Sequence, residues 1–333
     1  MWTRQREAYP STGRARATFA LRSRVRRHGR SGPSPLRDRS AFDSIGRYID
    51  LKEQVVADLG EIYARRFGLD APNNVSGTAL PDAALGILTR RSVRHYRAES
   101  VPDSLLDALL ACAQSAPTKS NLQQYSILTL GDAAKRKRLA ELLPTMQWAA
   151  QAPVFLFFLG DVRRGRRVAQ MRGYEHRNDN VDTFMNAAVD AALAMQCFID
   201  AAESSGLGCC PISMVRNDLD AVTELLELPA GVFPIAGLSA GWPEEEGHIS
   251  MRLPPSVLVH RDRYDDAALE EEVRAYDDRV FTVAPIPPEK QRHVDRYGVA
   301  ERGVWSENVA RQLSVPERAG FRDWLRRQKL SLG

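Results

Sequence analysis

From Phe42 to Phe67 apolar side chains return at steps of three and four: Ile45, Tyr48, Ile49, Val55, Val56, Leu59, Ile62, Tyr63 and Phe67. That period predicts an amphipathic helix. Ser40 or Asp43 can cap its start, and Gly68 is placed to end it. A helix with one apolar stripe must dock on something, either the rest of the chain or a partner subunit. Residues 71–80, with Pro72, Asn73, Asn74 and Gly77, read as a loop. Beyond Pro81 the pattern changes. Leu85, Ile87 and Leu88 form a short apolar turn. Residues 103–114 read as a helix, 125–130 as a strand and 133–142 as a helix. Residues 153–159 read as a buried strand, because Val154 to Leu159 are six unbroken apolar positions. Residues 182–205 predict a long helix, apolar nearly all round and so buried on most sides, in part between two subunits. A short strand near Ile212, a helix over 218–226 and a strand over 232–240 follow. Helices and strands alternate without a repeat, so the body is α+β around a small sheet.

Charge divides the chain in a way the total conceals. The 333 residues carry +4, but residues 1–40 hold eleven arginines, no lysine and two acids, which makes +9, and residues 41–333 therefore carry −5. The first segment is rich in Arg, Ser and Gly. Its composition fits a transit peptide, a disordered basic arm or translated sequence ahead of a later start. With no apolar h-region it is not a secretory signal, and disorder without a catalytic role is the reading adopted. Residues 41–80 then form the amphipathic helix and linker, and 81–333 the folded body. That body is acidic and offers no basic face for nucleic acid. Its longest apolar run is far too short to cross a membrane. Cys112, Cys197, Cys209 and Cys210 form no CxxC pair, which suggests free thiols in a reducing cytoplasm.

The chain lacks the common catalytic motifs. It has no P-loop, no HExxH and no GxSxG elbow, and Gly206-Leu207-Gly208 runs into Cys209-Cys210-Pro211 rather than completing a dinucleotide-binding turn. No nucleophile, metal set or paired acid and base stands out. What stands out is Arg90-Arg91-Ser92-Val93-Arg94, three guanidiniums and a hydroxyl in five residues. It is either a solvated basic surface strand or an anion site, since each guanidinium is a planar fork that matches paired phosphate oxygens. Anion-binding groups without catalytic side chains suggest a cofactor that brings its own chemistry.

The order of the pieces carries a resemblance. Arg90 to Arg94 is followed by Pro117-Thr118 with Asn121, then the stretch 191–208, then Pro211-Ile212-Ser213-Met214-Val215-Arg216, then Gly241-Trp242-Pro243, Arg252-Leu253-Pro254 and Val259-His260. Over residues 82–333 this resembles the nitroreductase family of flavin enzymes. Trp305-Ser306-Glu307 and the final helix are most similar to its oxygen-insensitive NADPH nitroreductase and flavin reductase branch. The resemblance implies a three-layer sandwich, a small central sheet flanked by helices, working as an intertwined homodimer with FMN at the subunit interfaces. It implies that Arg90 and Ser92 hold the FMN phosphate and that Arg252 closes on the same anion. Arg94 would face the N1/O2 edge of the ring, where negative charge gathers on reduction. Pro117 and Thr118 would line the ribityl chain and ring, Asn121 the ring and substrate, and Ile212 to Arg216 the other face, Ser213 and Met214 nearest. Arg91, Gln147 and Pro211 are counted with the cofactor site, Arg91 without a firm role. NAD(P)H, with NADPH favoured, would deliver hydride to the flavin by a ping-pong mechanism, and nitroaromatics, quinones or flavins would take the electrons.

The sequence departs from the family pattern at several points. A lysine usual two residues before the Arg-Leu-Pro arginine is Ser250 here, so one phosphate cation is missing. The Gln-Pro that often follows the asparagine is Gln123-Gln124. The arginine for the NADPH 2′-phosphate has three candidates, Arg292, Arg296 and Arg302. Two alternatives stay open on these residues: a specialised flavin reaction such as reductive dehalogenation, or a non-catalytic flavin-binding protein.

Overall fold

A computed structural model gives the fold and describes residues 59–331. The basic segment 1–40 and the first part of the helix expected over 42–67 lie outside the described residues. The described part of that helix, α1, spans Leu59–Phe67 and stops at Gly68, whose φ of +66° closes the last turn. Two expectations are corrected just after it. The 71–80 loop contains a single helical turn at Asn73–Ser76. The apolar turn at 85–88 is the end of a helix, α2, Asp82–Thr89. Pro81 precedes it and Ala and Leu fill it, so propensity outweighs the short apolar spacing.

The remaining elements fall close to their expected places. Helix α3 is Asp103–Gln114, β1 is Tyr125–Thr129, α4 is Ala133–Leu142, α5 is Gln147–Gln151, β2 is Val154–Asp161 and α6 is Arg163–Met171. The long helix α7 is Val181–Ser204, followed by β3 (Gly208–Ile212), α8 (Leu219–Leu226) and β4 (Val232–Gly241). Beyond these, α9 (Leu269–Val283), α10 (Trp305–Leu313) and α11 (Phe321–Arg327) complete the described chain with short turns between them. Side chains set several helix starts. Asp132 accepts the Lys135 N–H at 2.8 Å, Asn180 the Thr183 N–H at 3.1 Å and Asp218 the Ala221 N–H at 2.9 Å.

Among the described residues there is one four-stranded sheet, antiparallel throughout, in the order β1-β2-β4-β3. Every residue of β2 is buried. Alternation sorts its side chains: Leu156 and Phe158 join α3 and α7 through Leu109, Ala191, Ala194 and Phe198. Phe155, Phe157 and Leu159 join α4, α5 and α8 through Leu139, Ala149 and Val222. The result is helix, sheet, helix, the three layers expected. Cys209 and Cys210 are buried on opposite faces of β3. A third cluster, with Phe233, Trp324 and Leu325, pins α11 to the end of the sheet. Trp305 stands edge-on to Tyr276 at 5.5 Å and anchors α10 to α9.

Phe158 is fully buried between the sheet and α7. Phe158→Ala should cost about 3–5 kcal/mol of unfolding free energy, read from the urea midpoint of the full chain.

Candidate functional site

The arginine run lies along the outer side of β3. Ser92 forms a parallel bridge with Cys209, and the Val93 N–H donates to the Cys209 carbonyl at 3.1 Å. Gly208 permits this approach, since a Cβ there would stand 2.5 Å from Val93 Cγ2. Farther on, the Arg97 N–H donates to Trp242 O at 2.9 Å, and the Glu244 N–H to His95 O at 3.1 Å. The Tyr96 hydroxyl donates to Val93 O at 2.6 Å and lies 2.9 Å from Ser239 Oγ, and burial pushes this phenol far above its ordinary range. The run is therefore fastened at both ends.

The run's arginines have unequal partners. Arg90 is half-buried and pairs with Glu203 Oε1 at 3.0 Å, while its Nε is buried with no acceptor. Burial raises the Glu203 carboxyl above the usual carboxylate range, and Arg90 pulls against that rise. Arg91 lies 3.9 Å from the exposed Glu246. Arg94 is exposed, and its charge acts on the buried Cys210 thiol.

Arg66, on α1, was missed by sequence reasoning. It is 5% exposed, and its guanidinium donates to the carbonyls of Leu88 (2.8 Å), Ser250 (2.9 Å) and Arg90. Its own carbonyl accepts the Arg252 N–H at 2.8 Å. Arg90 and Arg252, far apart in sequence, are thus tied to one residue. Arg252 is exposed, and its Nη1 reaches Ser250 O at 3.5 Å. Burial, Arg252 and Arg90, in that order, lower the Arg66 pKa, with Glu203 opposing. A guanidinium remains charged even so. A cavity of about 950 Å³ opens beside Arg252, lined by Arg65, His248, Met251, Tyr276 and Trp305 among others.

The loop at 117–124 is held by a second residue that sequence reasoning missed. Pro117 and Asn121 are exposed and Thr118 is half-buried. Ser120, Asn121 and Gln123 have φ of +50°, +57° and +51°, a region costly for residues other than glycine. The Asp190 carboxylate, 1% exposed on α7, accepts the Lys119 N–H on one oxygen and the Gln124 N–H on the other, both at 3.0 Å. A proline at 124 would lack that N–H, so the departure from the family pattern has a structural use. Gln123 Nε2 donates to Asn121 Oδ1 at 3.1 Å, and Arg164 donates to the carbonyls of Gln123 and Tyr125.

Past β3, Pro211 and Ser213 are exposed, Ile212 is fully buried, and Met214 Sδ accepts from Thr145 Oγ1 at 3.7 Å. Arg216 donates to the Ile235 carbonyl of β4, and burial lowers its pKa. Gln147 is exposed at the start of α5.

The residues present fit a phosphate-bearing cofactor. The positive charges of Arg90 and Arg252 both act on Arg66, with the Glu203 carboxylate opposing them, and the buried Arg90 Nε lacks an acceptor. Such a knot is stabilised by an anion.

Comparisons with known proteins point to the same chemistry. Residues 87–242 match the model of the nitroreductase family and residues 250–333 that of the nitroreductase family C-terminal domain. The chain belongs to the nitroreductase family. It is 32% identical over 239 residues to the oxygen-insensitive NADPH nitroreductase of Salmonella typhimurium, covering 72% of this chain and 93% of the relative. It is 36% identical over 193 residues to the FMN reductase [NAD(P)H] of Bacillus subtilis, covering 57% and 78%. Among solved structures, B. megaterium NfrA2 superposes with a TM-score of 0.69 at 30% identity, over 76% of this chain and all of that one. The NADPH:FMN oxidoreductase of Vibrio harveyi, complexed with NAD+, gives 0.66 at 26% identity, over 74% and 98%.

Asp190→Asn should loosen the 117–124 loop, because the amide keeps one acceptor oxygen but sets an NH2 against the other backbone donor. Hydrogen bonds to a charged group are worth about 1.5–3 kcal/mol, so tryptic cleavage after Lys119 should quicken by about tenfold or more. Limited proteolysis followed by mass spectrometry reads it.

Proposed function

We propose that this chain is an FMN-dependent NAD(P)H oxidoreductase that delivers electrons to small acceptors such as nitroaromatics, quinones or flavins. The observation that carries this reading is the fastened arginine knot, with its buried Arg90 Nε lacking an acceptor. The relatives named for FMN and NAD(P)H reduction support both the cofactor and the co-substrate. When bound, FMN supplies the redox chemistry, accepting hydride at N5 and returning the electrons to an acceptor.

The protein's residues do the rest. Arg90, Ser92 and Arg252 bind the phosphate, Arg90 adding its free Nε to the anion. Arg94 places a fixed positive charge at the N1/O2 edge, where reduction adds negative charge. Pro117, Thr118 and Asn121 would border one side of the ring on the loop that Asp190 holds, and Ser213 and Met214 the other, with the fully buried Ile212 behind them in the core. No side chain is assigned a proton-transfer role; the protons that a quinone or nitro acceptor takes up come from solvent. The oxidised nucleotide leaves before the acceptor takes the same face, a ping-pong order. NADPH is the favoured donor. Of the arginines weighed for its 2′-phosphate, Arg302 is paired with Asp278 at 2.6 Å, while Arg292 and Arg296 are exposed.

The working unit in this reading is a homodimer. Val181, Met185, Val189 and Leu193 are exposed on α7 at steps of four. A stripe of that size on the central helix calls for a cover, and the sequence pattern already asked for burial there. Residues 81–333 would form the FMN-binding body. The four free cysteines suit a reducing cytoplasm.

The deciding experiment is anaerobic reduction of the purified protein by NADPH and by NADH, followed at 450 nm. Bleaching by either is expected, faster with NADPH. Protein that stays colourless after FMN addition would sink the reading, and bound flavin that neither nucleotide bleaches would make the chain a flavin carrier. Arg90→Gln should weaken FMN binding by about tenfold or more, the scale of a lost charge-assisted contact. Arg94→Gln should retain FMN and slow its reduction by about tenfold. Val189→Glu should shift the protein toward monomer in sedimentation.

A further inference from the structure

The geometry points to Arg66 as the positioning residue of the phosphate clamp, a role outside the family region and resting on the FMN reading above. The family models begin at residue 87, whereas α1 ends at Phe67. Yet α1 reaches both halves of the clamp. Arg66 donates through Nε to Leu88 O, through Nη2 to Arg90 O and through Nη1 to Ser250 O, and its carbonyl accepts the Arg252 N–H. Three donors in a rigid fork suit three carbonyls converging from two segments; a lysine ammonium has no such fork. Tyr276 adds a further tie, its hydroxyl donating to Met251 O at 3.0 Å. Residues 250–252 are thus held on both sides, and their register against Arg90 is set through one side chain.

The contact with residue 250 is made to its backbone carbonyl, a group any residue there would present; Arg66 places a guanidinium beside the position where the family pattern has a lysine. Carbonyl partners hold Arg66 in place without cancelling its charge, so it orders Arg90 and Arg252 while adding to the positive field around them. The role is thereby specific to the phosphate end of the cofactor.

FMN and riboflavin share a ring and ribityl chain and differ in the phosphate, so the pair separates a clamp defect from general damage. Full-length wild-type, Arg66→Met and Arg66→Lys proteins, freed of flavin, are titrated with each ligand by flavin fluorescence. Arg66→Met should weaken FMN by about 30-fold, the scale of a buried hydrogen bond to a charged group, and change riboflavin by less than about threefold. Arg66→Lys, which keeps the charge but not the fork, should weaken FMN by about fivefold with riboflavin again nearly unchanged. It carries the test alone if the methionine variant does not fold. Equal losses for the two ligands, or no loss for FMN, would overturn the role of Arg66 and leave the FMN reading standing. Wild-type protein that binds neither flavin would overturn that reading and this inference with it.

Discussion

The strand Val154–Asp161 is buried at every position, and a strand buried on both faces obliges the chain to lay helices above and below it. Leu156 and Phe158 face α3 and α7, and Phe155, Phe157 and Leu159 face α4, α5 and α8. Little sheet face is left for a ligand, and the proposed site lies at an edge instead. β3 is an edge strand, and its outer side receives the segment that carries Ser92 and Val93. A site built at an edge is assembled from connecting segments, and connecting segments need external ties to hold a fixed geometry. Arg66, Asp190 and Tyr96 are those ties.

Electrostatics explains the choice of partners. A buried guanidinium can be stabilised by a carboxylate or by carbonyl dipoles. A carboxylate cancels its charge, and an arriving anion must then displace it. Arg66 uses carbonyls, so its field survives. Only Arg90 of this group carries a close carboxylate, Glu203 at 3.0 Å. Burial weakens that competitor, raising its pKa, and its place in the last turn of α7 sets it against the negative end of the helix dipole. In the proposed function, a phosphate dianion would answer the excess positive charge that the knot keeps.

Much of the architecture was legible in the sequence, because burial leaves a periodic trace. The apolar run from Val154 announced β2, and the 3.6-residue spacing announced α3 and the described part of α1. The arginine run raised two readings, a surface strand or an anion site, and the proposed function takes the second. What escaped had no periodic trace. Asp190 sits in an apolar helix and reads there as an interruption; only the fold shows two backbone N–H groups converging on it. Arg66 looks like the polar face of an amphipathic helix, and its contact with Ser250 spans 184 positions. The turn at 85–88 was a helix because three apolar residues cannot distinguish the two. The positive φ of Ser120, Asn121 and Gln123 falls on residues other than glycine, so composition gave no warning.

That strained loop shows why α7 matters beyond the core. Residues in the left-handed region cost about 1–3 kcal/mol each where the side chain is unsuited, and they persist when surrounding contacts leave no alternative. Asp190 provides that constraint by taking an N–H from each side of the bend. Farther along the same helix Glu203 meets Arg90, and one exposed stripe of the helix, Val181 to Leu193, is the face assigned to the partner subunit. One rigid element therefore holds the 117–124 loop, contacts Arg90 and presents the apolar stripe that the proposed dimer would bury. A helix of 24 residues does not bend freely to satisfy these demands separately. In the proposed dimer, subunit contact and cofactor geometry would be mechanically the same problem, because one helix would serve both.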